Sequence, residues 1–468
     1  MAGTFSSINT SLSALRHHQV AMDVAANNIA NVGTQGFTRR RAGAESVGAP
    51  AVPAMWSRYD GVGGGVRTGA VERFSDAILD ARSRTEHGTL SYLQARTVGL
   101  DRLESGIGEP GDTGVAAAMA TFRGAWADLA DDPGSPAART LVLDGAAALA
   151  DAFAAQARNV RSEEATQRVH VLASVEEVNT AASELADTNR AISAAKLAGL
   201  DTSDLADQRD RLGLRLADLA GGVATTRVDG GLDVTVAGVS LVTGSFAGRL
   251  EVTGGIAPDG DADGAPLSFA ITTDAGGGAV TTALLGAPRG EIGGSAELIS
   301  TTLPGYAAAL GTVVSDLADR VNTVHAGGYD PTGAPGRPFF AYDPADPAAS
   351  LRVALASGDD VAVSTIGGGA LDSGVAEVLA ASGPEESAYQ KLVNGLGTQV
   401  ASAHRLEATQ GLLTNQVDAA REQLGGVNLD EEMISMLTSQ RAYEAAARVM
   451  TVVDSVLDTL INRTGLVR

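Results

Sequence analysis

Apolar residues recur at heptad interval at both ends of the chain. Near the start, Phe5, Ile8, Leu12, Leu15, Gln19, Met22, Ala26 and Ile29 alternate steps of three and four without a slip. That spacing marks a helix face that packs lengthwise on another helix. Near the end, Met433, Met436, Gln440, Tyr443, Ala447, Met450, Asp454, Leu457 and Ile461 repeat it, with Val449, Val453, Val456 and Leu460 as a second apolar row beside the first. A stripe that wide touches more than one neighbour. Asn428 can cap this last helix, with Glu431 in the capping-box place and Asp430, Glu431 and Glu432 on the positive end of the dipole. Gly465 stops it. A helix of about 30 residues, roughly 50 Å long, is expected.

Between the ends the pattern changes twice. Residues 42–70 are rich in Gly, Pro and Ala and read as extended chain, with Val62-Gly63-Gly64-Gly65-Val66 as its turn. Helical spacing resumes near Val71 (Phe74, Ile78, Leu90, Leu93, Leu100, Leu103) and continues through Val115, Met119, Phe122, Trp126 and Leu129. Asp131-Asp132-Pro133-Gly134-Ser135-Pro136 breaks it. A long helix follows from Ala137 to about Leu197, then another carries Leu205, Leu212, Leu216 and Leu219. Past Gly221-Gly222 the period drops to two, as in Leu232-Asp233-Val234-Thr235-Val236, the mark of strands. Helix returns over about 291–325; residues 327–383 are irregular or short-stranded; a strict helix runs from Glu385 to Leu424.

These elements predict a mainly α fold with an inserted β domain, elongated and nested. Residues 1–42 and 426–468 form a terminal coiled-coil assembly domain. Residues 43–220 and 291–425 form a helical-bundle body, and residues 221–290 a small antiparallel β domain. Because the insert has its own turns and boundaries, its deletion is expected to leave a soluble molecule.

Composition narrows the function. Asp and Glu number 56 against 34 Lys and Arg, a formal charge of −22. Such a surface disfavours nucleic acid and anionic membranes. The run Arg39-Arg40-Arg41 is the local exception and reads as a solvated edge or as contacts to neighbouring acids. Aromatics are 4% of the chain, so the cores are expected to be aliphatic, with close contacts through Ala. There is no cysteine, which rules out disulfides and thiolate chemistry. The N-terminus has no apolar signal core, and no run of about 18 apolar residues suggests a membrane span.

Catalytic and metal motifs are sparse. The histidines (His17, His18, His87, His170, His325, His404) show no ligand spacing and read as surface residues. Gly61 to Gly65 lacks the strand–turn–helix context of a dinucleotide site. Asp259-Gly260-Asp261-Ala262-Asp263-Gly264 fits half of a calcium loop, but its twelfth position is Ala270, where a glutamate is needed. A ligand- or calcium-binding module is therefore the remote alternative. The regular information lies in packing seams, which favours a structural protein over an enzyme; neither cofactor nor metal is expected.

Two stretches carry a resemblance. Ala26-Asn27-Asn28-Ile29-Ala30-Asn31 followed by Gly33-Thr34-Gln35-Gly36-Phe37-Thr38-Arg39 resembles the N-terminal signature of bacterial flagellar axial proteins, the rod, hook and hook-associated group. Gln440-Arg441-Ala442-Tyr443 and Leu457-Asp458-Thr459-Leu460-Ile461-Asn462-Arg463-Thr464-Gly465 resemble the C-terminal one. The helical middle, with Asp204-Leu205-Ala206-Asp207-Gln208-Arg209-Asp210-Arg211-Leu212, is similar to the hook-associated branch at the hook–filament junction more than to a hook or distal rod protein, the alternative within the group. The resemblance implies self-association into a ring, with the hook protein on one side and a second hook–filament junction protein on the other. It implies an extracellular place in the flagellum, export by the flagellar type III apparatus, and a cytoplasmic chaperone over the C-terminal helix. It implies terminal helices that stay disordered in a free subunit and order on assembly. The assembly interface it points to comprises Phe5, Ile8, Leu12, Leu15, Met22 and Ile29 with Met433, Met436, Tyr443, Met450, Leu457 and Ile461.

Overall fold

The computed structural model describes residues 2–48, 63–274, 278–369 and 371–460, with side chains from Ser7 onward. The first helix, α1 (Ala2–Ala30), leads into an antiparallel hairpin of β1 (Arg40–Val47) and β2 (Gly65–Arg73). Four helices follow: α2 (Ala77–Ile107), α3 (Val115–Asp131), α4 (Pro136–Leu197) and α5 (Ser203–Ala220). Asp76 caps α2 through hydrogen bonds from the Ile78 and Leu79 amides. Helical spacing near Val71 and Phe74 therefore reads too early: Val71 lies in β2, and its alternation with Arg73 is a strand's. Val62, at the expected turn, lies outside the described residues.

The β elements are β3 (Val223–Thr226), β4 (Leu232–Val236), β5 (Val239–Thr243) and β6 (Phe246–Ala247) in one antiparallel sheet, then β7 (Arg249–Gly254), β8 (Ser268–Thr273) and β9 (Val280–Ala283) in a second. The chain returns through α6 (Gly290–Glu297), a π-helical turn at Leu298–Thr302, and α7 (Leu303–Ala326). A short pair of strands, β10 (Phe340–Ala341) and β11 (Arg352–Val353), flanks α8 (Pro347–Ser350). Then come α9 (Gly374–Ala380), α10 (Pro384–Gly425) and α11 (Leu429–Asp458).

Two apolar cores lie along α4, whose 62 residues extend roughly 90 Å. The first half of α4, from Ala138 to Val160, packs with α2, α3, α7, α9 and α10. Its second half, from Val171 to Ala186, packs with α5, α6 and the inner faces of both sheets, including Leu232, Val234, Leu250, Phe269 and Ile271. The insert thus has no core of its own; it shares one with Leu216, Leu219, Ile292 and Ile299 of the helical body. That shared core argues against the expectation that removing the insert would leave a soluble molecule.

Phe269 is the single aromatic of the second core, but the first holds a cluster: Phe122, Trp126, Phe339 and Phe340, with ring centroids 4.9–6.1 Å apart. The expectation of purely aliphatic cores fails there, because scarce aromatics have converged on one place. The stretch Gly290–Ala326 has an 18-residue window with a mean hydropathy of 1.2, apolar enough by composition to cross a membrane. Its apolar side chains, among them Leu303, Leu310, Val314, Leu317 and Val321, are buried in the first core.

Candidate assembly interface and its joint to the body

The terminal helices find each other within one chain. Near the end of α1, Asn28 Nδ2 donates to Glu432 Oε2 in the first turn of α11 at 2.9 Å. The two helices stay in contact along their lengths, so they run antiparallel. Each terminal helix is thus the other's partner within the chain. Asn428 caps α11, accepting from the Asp430 and Glu431 amides. Glu431 does not close a capping box from its Oε2; that oxygen goes to Arg39 at 2.7 Å.

The shielded rows are Ile8, Ser11, Leu15, His18, Met22, Ala25 and Ile29 on α1, and Glu432, Met436, Ser439, Ala446, Met450, Val453 and Leu457 on α11. Of the expected interface, Ile8, Leu15, Met22, Ile29, Met436, Met450 and Leu457 are half-buried. Leu12, Met433 and Tyr443 are exposed, at 36%, 59% and 37%. The Phe5 side chain and Ile461 lie outside the described residues, as does the expected stop at Gly465. The heptad step is therefore right and the intervening positions are off by one: Ser11, His18 and Ala25 face inward instead of Leu12, Gln19 and Ala26. In a heptad, positions three and four beyond a core residue both border the seam. Where the partner lies decides between them, and here it selects Ser11, His18 and Ala25.

A second row on α11 has no cover: Ile434, Leu437, Val449, Val452 and Val456 are 45–66% exposed. This face shares Val449 and Val456 with the second apolar row of the sequence, adds Ile434, Leu437 and Val452, and loses Val453, which turns toward the seam.

The hairpin packs along α1. Ser13 Oγ accepts from the Val66 amide at 3.3 Å. Gly65 sits so close that a Cβ there would lie 2.4 Å from Ser13 Oγ, and its φ is +93°. The hairpin thus belongs to the terminal unit, although the sequence groups residues 43–70 with the body.

The arginine run is the joint. Arg39 Nε donates to Glu432 Oε1 at 2.7 Å, which ties the hairpin to α11. Arg40 is buried; its Nη2 reaches Asp204 Oδ1 at 2.5 Å and Asp207 Oδ2 at 2.8 Å on α5. Arg73, opposite Arg40 across the β1–β2 ladder, binds the other oxygen, Asp207 Oδ1, at 2.6 Å and Asp210 Oδ2 at 2.9 Å. Burial works against both guanidinium charges, yet the hydrogen bonds and negative charge of these carboxylates hold both pKa values above the ordinary range. Arg40 also stacks over Phe37, 4.8 Å from its ring centre. Of these, the sequence marked only the arginine run and the Asp204–Asp210 segment as notable. That Asp207 and Arg73 meet has no local signal, because they are 134 residues apart.

The histidines are not a set of surface residues. His325 is fully buried, with Nδ1 2.6 Å from the Arg337 carbonyl and Nε2 accepting from the Ala362 amide. His87 bridges to Asp418 at 2.8 Å, His170 to Glu291 at 2.9 Å and His404 to Asp101 at 2.9 Å, each joining two helices. His17 and His18 are half-buried and stack edge-on. In the Asp259–Gly264 turn, Asp259 accepts from the Asp261 amide, and Asp263 from the Gly255 and Ala265 amides. Those oxygens shape the turn.

Comparison with known proteins gives three family matches in chain order. Residues 8–38 match the flagella basal body rod protein model, residues 100–340 the flagellar hook-associated protein FlgK helical domain, and residues 425–463 the flagellar basal body rod FlgEFG protein C-terminal model. Flagellar hook-associated protein 1 of Bacillus subtilis is 28% identical over 513 residues, covering 100% of this chain and 99% of that one. The protein of that name from Escherichia coli is 24% identical, covering 97% and 99%. A solved structure, the flagellar hook junction protein FlgK from Burkholderia pseudomallei, has a TM-score of 0.50 and 24% identity, covering 56% of this chain and 47% of that one; it supports the fold. The helical body alone accounts for more than half the chain, and rod-type helices flank it in the order the nesting requires, so this chain belongs to the flagellar hook-associated protein FlgK family.

Proposed function

We propose that the chain is a self-assembling adaptor between hook and filament, with its terminal helices as the assembly module. Family membership supports a structural role in the flagellum, and the Burkholderia relative, a flagellar hook junction protein, supports the junction. The observation that carries self-association is the uncovered row Ile434, Leu437, Val449, Val452 and Val456 on a helix already paired on its other side. Its two apolar patches, Ile434 with Leu437 and Val449 with Val452 and Val456, flank exposed Arg441 and Arg448; such patches are unfavourable in water, and oligomers bury them. In a ring of identical subunits the contact is head-to-tail, so this row would meet a different face of the next subunit. In this reading Ile8, Leu15, Met22, Ile29, Met436, Met450 and Leu457 hold the pair within a subunit. Leu12, Met433 and Tyr443 contact neighbours, and Phe5 and Ile461 extend the rows outward.

The hook protein would lie on one side of the ring and a second junction protein on the other. Before export through the type III apparatus, a cytoplasmic chaperone would cover the apolar face of α11. The chain is read as non-catalytic. The test is Val452→Glu in cells whose own copy is replaced. The expected outcome is a purified variant with wild-type helicity and thermal midpoint that fails to enter flagella. Normal filaments would remove the outer row from the assembly interface.

A further inference from the structure

The terminal unit and the body share no apolar core. Neither buried cluster contains a residue of α1, β1, β2 or α11. No helix runs through the joint: α2 starts after Phe74-Ser75-Asp76, and α10 is broken from α11 at Gly426 and Val427. Among the described residues one backbone hydrogen bond crosses it, from the Arg39 amide to the Gly425 carbonyl at 2.8 Å. A cleft of about 1090 Å³ opens beside it, between the 31–39 turn, α5 and the end of α10. On covalent grounds the two parts could rock as rigid bodies about short linkers.

We infer that Asp207 is the positioning residue that sets the angle of the terminal helix pair on the body. Asp207 is 3% exposed, and each of its oxygens takes a different strand at the open end of the hairpin, where Arg40 of β1 and Arg73 of β2 face each other across the ladder. Holding both strands at once through two separate oxygens restricts rotation of the hairpin base about the carboxylate, which a single contact does not. The clamp is directional as well as charged, since Arg40 Nε and Arg73 Nε are enclosed without partners and both guanidinium groups are held by their Nη2 atoms. Removing the shared carboxylate leaves buried Arg40 with only the exposed Asp204 as counter-ion and Arg73 with Asp210 alone, a costly state for Arg40 above all. Asp204 is 87% exposed at its side chain and reaches Arg40 from the surface, so it contributes far less. Cohesion within the terminal unit does not pass through α5, because Asn28, Arg39 and Glu432 bind one another. For an adaptor between two unlike lattices, one carboxylate would thus determine how the inner helices are presented relative to the outer body. Only this consequence rests on the assembly reading.

The chain has no cysteine, so Glu184→Cys on α4 and Ala445→Cys on α11, both exposed, accept spin labels cleanly. The labelled full chain, free in solution, is expected to give one narrow distance distribution. Asp207→Asn is expected to widen it about twofold with α1–α11 helicity retained, and Asp204→Asn to leave it unchanged. A wild-type distribution in Asp207→Asn, or an already broad one in the parent chain, overturns the inference. If Asp207→Asn disturbs α5, Arg40→Gln with Arg73→Gln on the hairpin replaces it, with the same two outcomes. Because the measurement is made on single chains, its failure is distinct from failure of the assembly reading, which Val452→Glu tests in flagella.

Discussion

His325 illustrates how little a residue type reveals about its role. A carbonyl only accepts, so Nδ1 must carry the proton toward Arg337, and Nε2 is the lone pair that receives the Ala362 N–H. Both ring nitrogens are spent in a neutral tautomer, and burial holds the imidazole pKa below its ordinary value. The folded state therefore binds fewer protons than the unfolded chain just below pH 6.5, and stability is full above that pH and lost as pH falls through it. Urea unfolding at pH 7.5 and pH 5.5 should show a lower midpoint at pH 5.5. His325→Phe should flatten that difference and cost about 1–3 kcal/mol at neutral pH for the unpaired carbonyl and amide. Glu291 adds loss at lower pH: the His170 hydrogen bond depresses its pKa, so its contribution disappears as the carboxylate protonates below its ordinary range. Asp218 opposes this, since burial raises its pKa and protonation relieves that penalty. None of these environments is legible in the sequence, where each histidine stands without a ligand pattern.

At the scale of elements, α1 and α11 are the most legible parts of the chain. Heptad spacing gave the existence, length and shared positions of both helices: Ile8, Leu15, Met22 and Ile29 against Met436, Met450 and Leu457. It could not choose the intervening row, because three and four residues per step border the same seam and only the partner's position selects one. The two rows of α11 predict separable phenotypes. Met450→Glu places a charge in the seam with α1 and should lower the helicity of the lone chain, read by circular dichroism, as well as block assembly. Val452→Glu should do only the second. Loss of helicity in Val452→Glu, or none in Met450→Glu, would mean that the rows are exchanged.

For the whole molecule the governing feature is α4, one helix serving two cores. Its second half gives Val171, Val175, Val178, Ala182 and Leu185 to the same cluster as the strands. Deleting residues 222–290 should therefore expose these together with Leu216, Leu219 and Ile292. The expected product has a lower thermal midpoint and aggregates on heating; light scattering checks it. A soluble deletion with an unchanged midpoint would show that the helices close over the gap. The boundary of the insert was plain in the sequence, where the period drops from helix to strand after Gly221-Gly222. A change of period marks where an element ends, and it carries no information on which surface that element packs against.

The sequence alone determined what depends on neighbours along the chain: the α-with-β-insert composition, the paired terminal helices, their caps and breaks, and the signatures of the flagellar axial family. Each is a matter of periodicity or turn chemistry within some tens of residues. Tertiary structure decided what depends on distant residues meeting. It selected Ser11, His18 and Ala25 for the seam, buried His325, merged the insert with the body, and brought Arg40 and Arg73 onto the two oxygens of Asp207. The physical reason is common to all four: a side chain's burial and charge partner are set by elements that approach it from elsewhere in the chain, and local pattern says only that a face is available.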